Sequence, residues 1–289
     1  MPEDGNVATG RNTADDTRET AVPLLQAVDV ARTYRAPRTR LFEHPPEIEA
    51  VQGVSLTVRR GDAIGIVGES GAGKSTLMRL LVAAERPTAG QLLFNGTDLW
   101  TSGRDVMREF RRSVQIVLQN PRSSFDPNMS IGTSLVQPLR SLRIDCDVRS
   151  RIVEVLDHVA IPTSVLHRRP HEFSGGQLQR IAIARALMPS PRVLVADEPV
   201  SALDVSIQAQ VLNVLRDLVT DLGLALILVT HDLAVVASVA THALVFAEGR
   251  VVEEGHPYNL LTDPQQPATK NLCDAVLTLA DGLAGKGLA

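Results

Sequence analysis

Apolar and polar residues alternate along PLLQAVDVARTY, residues 23–34, as expected for a strand with one buried face. The stretch VQGVSLTVRRGDAIGIVG, residues 51–68, predicts two further strands, and the second leads into a glycine-rich segment. RVLVA at 192–196 and LALILV at 224–229 are continuous apolar runs of strand length. Such runs are typical of parallel strands that are buried on both faces.

Apolar positions recur at helical spacing between these strands. STLMRLLVAAERP, residues 75–87, predicts a helix that ends before its proline. Residues 130–170 predict further helices, and residues 176–188 and 206–222 predict two longer ones. Alternation of strands with helices of this length predicts an α/β fold, in which helices cover both faces of a parallel sheet.

The two ends of the chain and one internal segment lack these patterns. Residues 1–22 are polar and acidic without apolar periodicity, and we predict a disordered tail there. Residues 35–49, RAPRTRLFEHPPEIE, predict a loop. We place a single ordered domain at 23–280 and a flexible C-terminal tail at 281–289. The absence of an internal repeat indicates one copy of this domain.

Composition limits the classes of protein to consider. The 289 residues are 44% apolar and 21% charged with a net charge of -4, so no overall basic field favours nucleic acid. Cys146 and Cys273 show no CxxC spacing, which argues against zinc, an iron–sulfur cluster or a disulfide framework. No apolar run reaches the roughly 18 residues of a membrane span, and the N-terminus lacks a hydrophobic signal core. We expect a cytoplasmic protein that reaches a membrane only through a partner.

The stretch GESGAGKST lies between a predicted strand and a predicted helix, the context of a phosphate-binding loop of the form G-x-x-x-x-G-K-S. Its glycines allow a concave nest of backbone N–H groups, to which the helix adds its positive end. The chain has three lysines and twenty-six arginines, yet Lys74 stands here, because a compact ammonium follows phosphates where a planar guanidinium is too bulky. We expect ATP to contact the whole stretch: Gly68, Glu69, Ser70, Gly71, Ala72, Gly73, Lys74, Ser75 and Thr76. Ser75 would also bind Mg²⁺.

Two carboxylates follow the buried strand in RVLVADEP, residues 192–199. In open α/β sheets the carboxyl ends of the strands form the edge that binds ligands. Asp197 suits the Mg²⁺ shell, and Glu198 is placed to polarise an attacking water. Taken alone, such a pair is more typical of a solvated loop. The phosphate loop upstream is what favours the catalytic interpretation.

A third stretch, EFSGGQLQRIAIARAL at 172–187, begins a predicted helix and offers a second helix N-terminus to an anion. In isolation it indicates an ordinary helix cap by Ser174. Together with the phosphate loop and the two carboxylates, it closely resembles the ATP-binding cassette ATPases, over about residues 22–280. The resemblance implies a P-loop NTPase core of parallel strands, an antiparallel β subdomain and a helical subdomain at about 121–185.

The resemblance also implies roles for single residues. Gln119, in VQIVLQNP, would contact Mg²⁺ and the attacking water, and His231, in LVTHDL, would contact the γ-phosphate. With Lys74 and Glu198 they complete the expected catalytic set. Tyr34, at the end of the first strand, would stack on adenine, and local packing of its ring is the alternative.

In this family two subunits form a head-to-tail dimer with two composite sites. The signature of one subunit would close over the ATP of the other, and here it comprises Ser174, Gly175, Gly176 and Gln177. A second loop would cross to the partner subunit, and here it comprises Ser201, Ala202, Leu203 and Asp204. ATP would close the dimer, and its hydrolysis would open it.

Several stretches narrow the resemblance further. GIVGESGAGKST, HEFSGGQ, DEPVSALDVSIQAQVLN and THDLAVV resemble the ATPases of bacterial oligopeptide, dipeptide and nickel importers, in particular the second ATPase type of the pair. This implies a heterodimer with another ATPase, a homodimer being the alternative, under two membrane permeases fed by an extracellular solute-binding protein. Peptide is the expected substrate. Nickel or another small solute, an exporter, and a soluble non-transport protein of the family are the alternatives.

The chain departs from the usual pattern of these importers at three positions. Leu118 and Asn120 replace a Phe and an Asp beside Gln119, and Leu178 replaces an Arg after the signature. We expect all three to lie on surfaces that face the permease or the partner subunit.

Overall fold

A computed structural model describes residues 22–35 and 47–274. The tails predicted at 1–22 and 281–289 therefore lie outside the described residues, except for Val22. Most of the loop predicted at 35–49 also lies outside them. The predicted bounds of this loop are wrong at both ends. Arg35 is the last residue of the first strand, and residues 47–49 begin a second strand that pairs with it.

Ten strands form two sheets in the described part of the chain. In chain order they are β1 (Leu25–Arg35), β2 (Glu47–Val58), β3 (Ala63–Val67), β4 (Ala89–Phe94), β5 (Thr97–Asp98), β6 (Val114–Val117), β7 (Val193–Asp197), β8 (Ala225–Thr230), β9 (His242–Ala247) and β10 (Arg250–Gly255). The larger sheet has the order β10-β9-β3-β8-β7-β6 and is parallel except for the β10–β9 pair. The smaller sheet is antiparallel, with the order β2-β1-β4-β5.

The α-helices of the described chain connect and cover these sheets. They are α1 (Lys74–Leu81), α2 (Arg104–Ser113), α3 (Ile131–Leu142), α4 (Val148–His158), α5 (Gly175–Leu187), α6 (Val205–Leu222), α7 (Leu233–Val239), α8 (Pro257–Thr262) and α9, residues 267–274. Short 3₁₀ turns lie at Arg122–Ser124, Thr163–His167 and Pro170–Glu172. None of the helices described is long and apolar enough to cross a membrane.

The parallel sheet is buried on both faces, as its continuous apolar strands predict. All five residues of β3 are buried, and they alternate between two apolar cores because side chains in a strand point to opposite faces. Val67 joins a core built with helices α3 to α7, whereas Ile64 and Ile66 join a core built with α1 and the antiparallel sheet. The predicted α/β architecture is confirmed.

Some elements are absent from the sequence-based prediction. It did not place β4, β5, β6, β10, α2, α8 or α9 individually. The strand β4 shows why, because three of the six residues in AGQLLF are exposed and its alternation is weak. This strand pairs with β1, from Leu25 opposite Phe94 to Ala31 opposite Ala89. Its formation therefore depends on residues far away in the chain.

The expectation for Leu178 is wrong. Its side chain is fully buried in the core built with helices α3 to α7, and it lies on no surface. Leu118, in contrast, is 43% exposed. The Asn120 side chain accepts hydrogen bonds from the backbone N–H groups of Arg122 and Ser123, so it shapes the turn that follows Gln119.

Candidate functional site

The glycine-rich loop joins the carboxyl end of β3 to the first residue of α1. Gly71 and Gly73 have φ of 83° and 105°, in the left-handed region that glycine adopts without a Cβ penalty. Gly73 is the residue immediately before α1. The loop therefore turns its backbone N–H groups and the positive end of α1 toward one concave surface.

The loop is also pressed against neighbouring strands. A Cβ on Gly68 would lie 2.1 Å from the carbonyl oxygen of Phe246, and one on Gly73 would lie 2.2 Å from that of Ala50. The N–H of Gly249 donates to the Ala72 carbonyl at 2.9 Å. These contacts require glycine at 68 for packing, although its φ is not left-handed, and they fix the position of the loop.

Lys74 is buried inside the loop, with its ammonium directed at the loop backbone. Its Nζ donates to the carbonyl oxygens of Gly68 and Glu69 at 2.6 and 2.8 Å. Burial lowers the pKa of Lys74 below its ordinary value, and the negative charges of Glu198, Asp197 and Glu69 partly offset this effect. The ammonium is thus held among acceptors that anionic phosphate oxygens are able to replace.

Asp197 is the last residue of β7, at the same sheet edge as the glycine-rich loop. Burial raises the pKa of its carboxyl group, the nearby charge of Glu198 raises it further, and Lys74 and Arg79 act in the opposite direction. A cation bound at this edge would favour the ionised form of Asp197.

The next residue, Glu198, turns away from the strand with a left-handed φ of 42°. Its N–H donates to the Val229 carbonyl at 2.8 Å, which ties the turn to β8. Its carboxylate accepts a hydrogen bond from Gln119 Nε2 at 2.8 Å and lies 3.0 Å from His231 Nδ1. The fold thus brings together three side chains that are widely separated in the sequence.

These groups surround a cavity of about 1,010 Å³. From the predicted set, Glu69 to Thr76, Gln119, Asp197, Glu198 and His231 line it. Gly68 does not line this cavity, and it lines an adjoining cavity of about 680 Å³ instead.

Sequence reasoning missed other residues that line the larger cavity. They come from β2, from the β9–β10 turn and from α9: Ile48, Glu49, Ala50, Gln52, Glu248, Gly249, Asn271 and Leu272. The EG pair at 248–249 is a turn signal, and both residues have a left-handed φ. Nothing local in the sequence places that turn against the glycine-rich loop.

The signature residues begin α5, as predicted. The Ser174 side chain accepts from the Gln177 N–H at 3.3 Å, and the Gln177 side chain accepts from the Ser174 N–H at 3.1 Å. This reciprocal pair is a capping box. Among the residues described around the large cavity, none comes from 174–177. Within one chain, the fold does not bring the signature to the glycine-rich loop.

The signature packs instead on the loop and helix that follow Glu198. A Cβ on Gly176 would lie 2.1 Å from Ile207 Cγ2, and one on Gly175 would lie 3.2 Å from Leu203 Cδ2. Gln208, which sequence reasoning missed, donates to the carbonyls of Val200 and Leu203 at 3.1 and 3.0 Å. Its position in the first turn of α6 is the only sequence signal for this role.

Residues 201–204 form the short turn between Glu198 and α6. The Ser201 hydroxyl donates to the Glu198 carbonyl at 3.2 Å and accepts from Gln119 Nε2 at 3.3 Å. Ala202 is exposed, and Asp204 directly precedes α6. The turn is therefore linked to the same glutamine that contacts the Glu198 carboxylate.

Tyr34 does not line the cavity in this structure. Its hydroxyl donates to Glu85 at 2.6 Å, and the guanidinium of Arg32 lies 4.8 Å from the centre of its ring. Tyr34 is nevertheless paired with Ile48 across the antiparallel sheet, and Ile48 does line the cavity. The predicted stacking on adenine stays a prediction.

Strand, glycine-rich loop, helix and carboxylates at one sheet edge define a nucleotide-binding site of the P-loop class. A family model described as ABC transporter matches residues 51–201. The dipeptide transport ATP-binding protein DppF of Haemophilus influenzae is 42% identical over 263 residues, which cover 90% of this chain and 80% of DppF. The oligopeptide transport ATP-binding protein OppF of Salmonella typhimurium is 44% identical over 239 residues, covering 81% of this chain and 72% of OppF.

Solved structures agree with this similarity. The ATP-binding cassette MJ0796, described as a dimeric post-hydrolysis state bound to ADP and Pi, superposes with a TM-score of 0.70 at 26% identity, covering 81% of this chain and 98% of that one. CbiO1 of Clostridium perfringens, described as part of the ABC transporter complex cbiONQ, gives a TM-score of 0.71 at 25% identity, covering 83% and 91% of the two chains. The chain belongs to the ABC transporter family. It is an ATP-binding cassette ATPase with the P-loop NTPase fold.

Proposed function

We propose that this chain is the ATP-hydrolysing subunit of a peptide importer, bound peripherally to the cytoplasmic side of the cell membrane. The similarity to proteins named for dipeptide and oligopeptide transport carries this proposal, because it extends over 81–90% of the chain. A likeness limited to the phosphate loop would support only nucleotide binding. Import of nickel or of another small solute, and export, are the alternatives.

The residues at the sheet edge fit Mg²⁺, which prefers oxygen ligands. Ser75, Gln119 and Asp197 all line the cavity beside the glycine-rich loop and would hold the ion. When bound, Mg²⁺ neutralises charge on the phosphate oxygens. Lys74 and the loop N–H groups then position the phosphates, and His231 contacts the terminal one.

Glu198 is the general base in this proposal. Its carboxylate is held by Gln119 and lies 3.0 Å from His231 Nδ1, so its oxygens are oriented toward the cavity before the nucleotide arrives. An oriented carboxylate polarises a water for attack on the terminal phosphate. Positioning of this kind supplies most of the catalysis in phosphoryl transfer.

We propose that two cassettes together complete each ATP site. In support, Ser174 to Gln177 begin a helix yet lie away from the phosphate loop of their own chain. The capping box uses the N–H groups of Ser174 and Gln177, and those of Gly175 and Gly176, in the first turn, have no acceptor within the helix. Residues Ser201 to Asp204 would cross to the partner. The partner we propose is a second, similar ATPase, with a second copy of this chain as the alternative.

Two permeases would dock on the segment that follows Gln119 and on α3 and α4, within the helical subdomain proposed at about 121–185. Leu118, directly before Gln119, offers an exposed apolar contact beside this segment. The guanidinium of Arg185, in α5, lies 4.1 Å from the centre of the Phe125 ring and donates to the Ser124 carbonyl. The docking segment is thus bonded to the helix that begins at the signature. A solute-binding protein would act through the permeases, and no nucleic acid is involved.

Affinity purification of the full-length chain from its native membrane tests the transport assignment. We expect two permeases and a second ATPase to be recovered with it. Leu118→Asp should reduce permease recovery, whereas Val22→Asp, at another exposed apolar position, should not. Recovery of ribosomes, of nucleic acid or of no membrane protein would leave the ATPase in place and refute the importer.

Tyr34→Ala tests the proposed adenine contact separately. Loss of stacking should weaken ATP binding about 5- to 150-fold, since base–aromatic stacking contributes about 1–3 kcal/mol. Tyr258→Ala, at the other tyrosine of the chain, is the matched control, because that side chain is 65% exposed and belongs to α8. Equal ATP affinity in the two variants would favour local packing as the role of Tyr34.

A further inference from the structure

Another cavity, of about 380 Å³, lies at the amino ends of the parallel strands, opposite the ATP site. Three arginines from three different elements line it: Arg60 between β2 and β3, Arg151 on α4, and Arg192 directly before β7. Glu154 and His158 of α4 lie on its wall. The ATP-binding function assigns no role to this cluster.

The three arginines differ in how many hydrogen bonds and ion pairs they already make within the chain. Arg151 donates from Nε to the Met188 carbonyl at 3.1 Å and from Nη2 to the Leu187 carbonyl, and it pairs with Glu154 at 2.6 Å, so it stabilises the end of α5. Arg192 makes a 3.2 Å hydrogen bond to Ser113 and an exposed 3.8 Å contact with Glu109, and its guanidinium lies 5.2 Å from the centre of the Phe94 ring. Arg60 has neither a hydrogen bond nor an ion pair within the described chain. Arg60 and Arg192 therefore retain donors for an anion.

The wall also offers a negative group and an apolar surface. Both ion pairs of Glu154, with Arg151 and with His158, use the same carboxylate oxygen, Oε1. The other oxygen remains available to a cation. Leu187, Leu222 and Leu224 line the cavity, and Leu222 is left 39% exposed.

We propose that this cavity binds a zwitterionic amino acid or short peptide with an apolar side chain. Arg60 and Arg192 would take its carboxylate, Glu154 its ammonium group, and the leucines its side chain. The volume lies near the lower end of the range for small-molecule sites, about 300–1,000 Å³, which suits a ligand of one or two residues.

The position of the cavity couples it to the ATP site. It lies at the ends of two helices that begin at loops which, in the proposed function, contact nucleotide across the dimer: α5, which starts after Ser174 and ends at Leu187, and α6, which starts after Asp204 and ends at Leu222. A ligand whose side chain packs on Leu187 and Leu222 contacts the ends of both helices. Glu154 on α4 and the arginines before β3 and β7 hold its charged groups, so the bound ligand restrains these helix ends relative to each other. Binding therefore slows ATP turnover.

Calorimetric titration of the full-length chain tests the site with four probes: leucine, leucyl-leucine, N-acetyl-leucyl-leucine and leucyl-leucine amide. Leucine or leucyl-leucine should bind, and the tighter of the two identifies the ligand as an amino acid or a peptide. Removal of either terminal charge should weaken peptide binding at least fivefold, because charge-assisted hydrogen bonds are lost. Binding of either blocked peptide as tight as that of leucyl-leucine, or no binding by any probe at about 10 mM, would overturn the proposal.

Variants locate the site. Arg60→Ala combined with Arg192→Ala should lower the affinity at least tenfold, and Glu154→Gln should weaken only the probes with a free amine. Arg104→Ala, an exposed arginine on α2, is the control and should change nothing. Undiminished affinity in the double variant would refute this location.

The effect on turnover is measured with the purified ATPase assembly. The tighter probe should slow hydrolysis in the wild-type protein and leave the double variant unaffected, while both hydrolyse ATP equally without probe. Binding without any change in hydrolysis would refute the coupling through α5 and α6.

Discussion

The Nδ1 atom of His231 lies 3.0 Å from the Oε1 atom of Glu198, although the two residues follow different strands of the parallel sheet. His231 follows β8 and Glu198 follows β7, and these strands are neighbours. The second oxygen of Glu198 accepts from Gln119, which follows β6. Three successive strands of one sheet thus assemble the proposed base and its two partners.

Glu198→Gln should abolish steady-state hydrolysis while preserving ATP binding, and should accumulate an ATP-bound dimer. General-base catalysis contributes about 10²–10⁴-fold, and an amide does not accept the proton. His231→Ala should also slow turnover, with His242→Ala as the control, because His242 lies on β9 beside Glu254. ATPase rates together with gel filtration in ATP measure both effects. Rapid turnover of Glu198→Gln would remove this residue as the base.

Lys74→Ala should abolish tight ATP binding, because the ammonium buried in the loop is lost along with its contacts to phosphate. Lys74→Arg should bind poorly as well, since the loop holds the ammonium within 2.8 Å of two carbonyls and leaves little room for a guanidinium. Fluorescent-nucleotide titration gives the affinities, and Lys270→Ala provides the lysine control. Wild-type affinity in Lys74→Ala would contradict the phosphate-loop assignment.

Ser174→Arg should leave ATP binding by the single chain unchanged and stop hydrolysis by the assembled dimer. The substitution removes the cap of α5 and places a bulky cation where the partner's nucleotide would lie. Nucleotide titration and ATPase assays on the same preparation separate the two effects. Normal hydrolysis in this variant would argue against a composite site.

Gly176→Ala should destabilise the fold, because the added methyl group meets Ile207 Cγ2 at 2.1 Å. Overpacking of this kind costs about 1–3 kcal/mol. Ile207→Ala in the same chain should recover part of the loss by opening space. A double-mutant cycle of urea unfolding measures the coupling between the two positions. Purely additive effects would mean that the signature does not depend on this contact.

The carboxylate of Glu253 should stabilise α9 in a pH-dependent way. Burial tends to raise the pKa of Glu253, but hydrogen bonds from Thr269 and from the N–H groups of Gln265 and Gln266 outweigh it and hold the pKa below its ordinary value of 4.5. Because the folded-state pKa is the lower one, the stabilisation is complete above about pH 5 and is lost as the pH falls through the folded value.

Glu253→Gln should therefore lower stability at pH 7, by about 1–2 kcal/mol, and the loss should be smaller at pH 3. Thermal unfolding across this pH range measures the change. Glu254→Gln, a neighbour whose carboxylate is 61% exposed, is the control. An equal loss at both pH values would show that the charge of Glu253 is not the cause.

The prediction from sequence succeeds for features that depend on interactions between residues close together in the chain. The glycines at 71 and 73, the lysine after them and the strand before them fix a phosphate loop, because each acts on its immediate neighbours. Likewise, Ser174 and Gln177 lie three residues apart and form a cap within one helix turn. Alternation of apolar strands and helices was enough to predict the parallel sheet.

Tertiary structure alone decided what depends on contacts between distant segments. The sequence does not reveal that Gly68 is pressed against Phe246, or that Leu178 is buried in the core. It gives no distance between Glu198 and His231, which follows from strand order. The arginine-lined cavity likewise forms only because the turn before β3, the helix α4 and the start of β7 lie close together in the folded chain. No pattern along the sequence predicts that proximity.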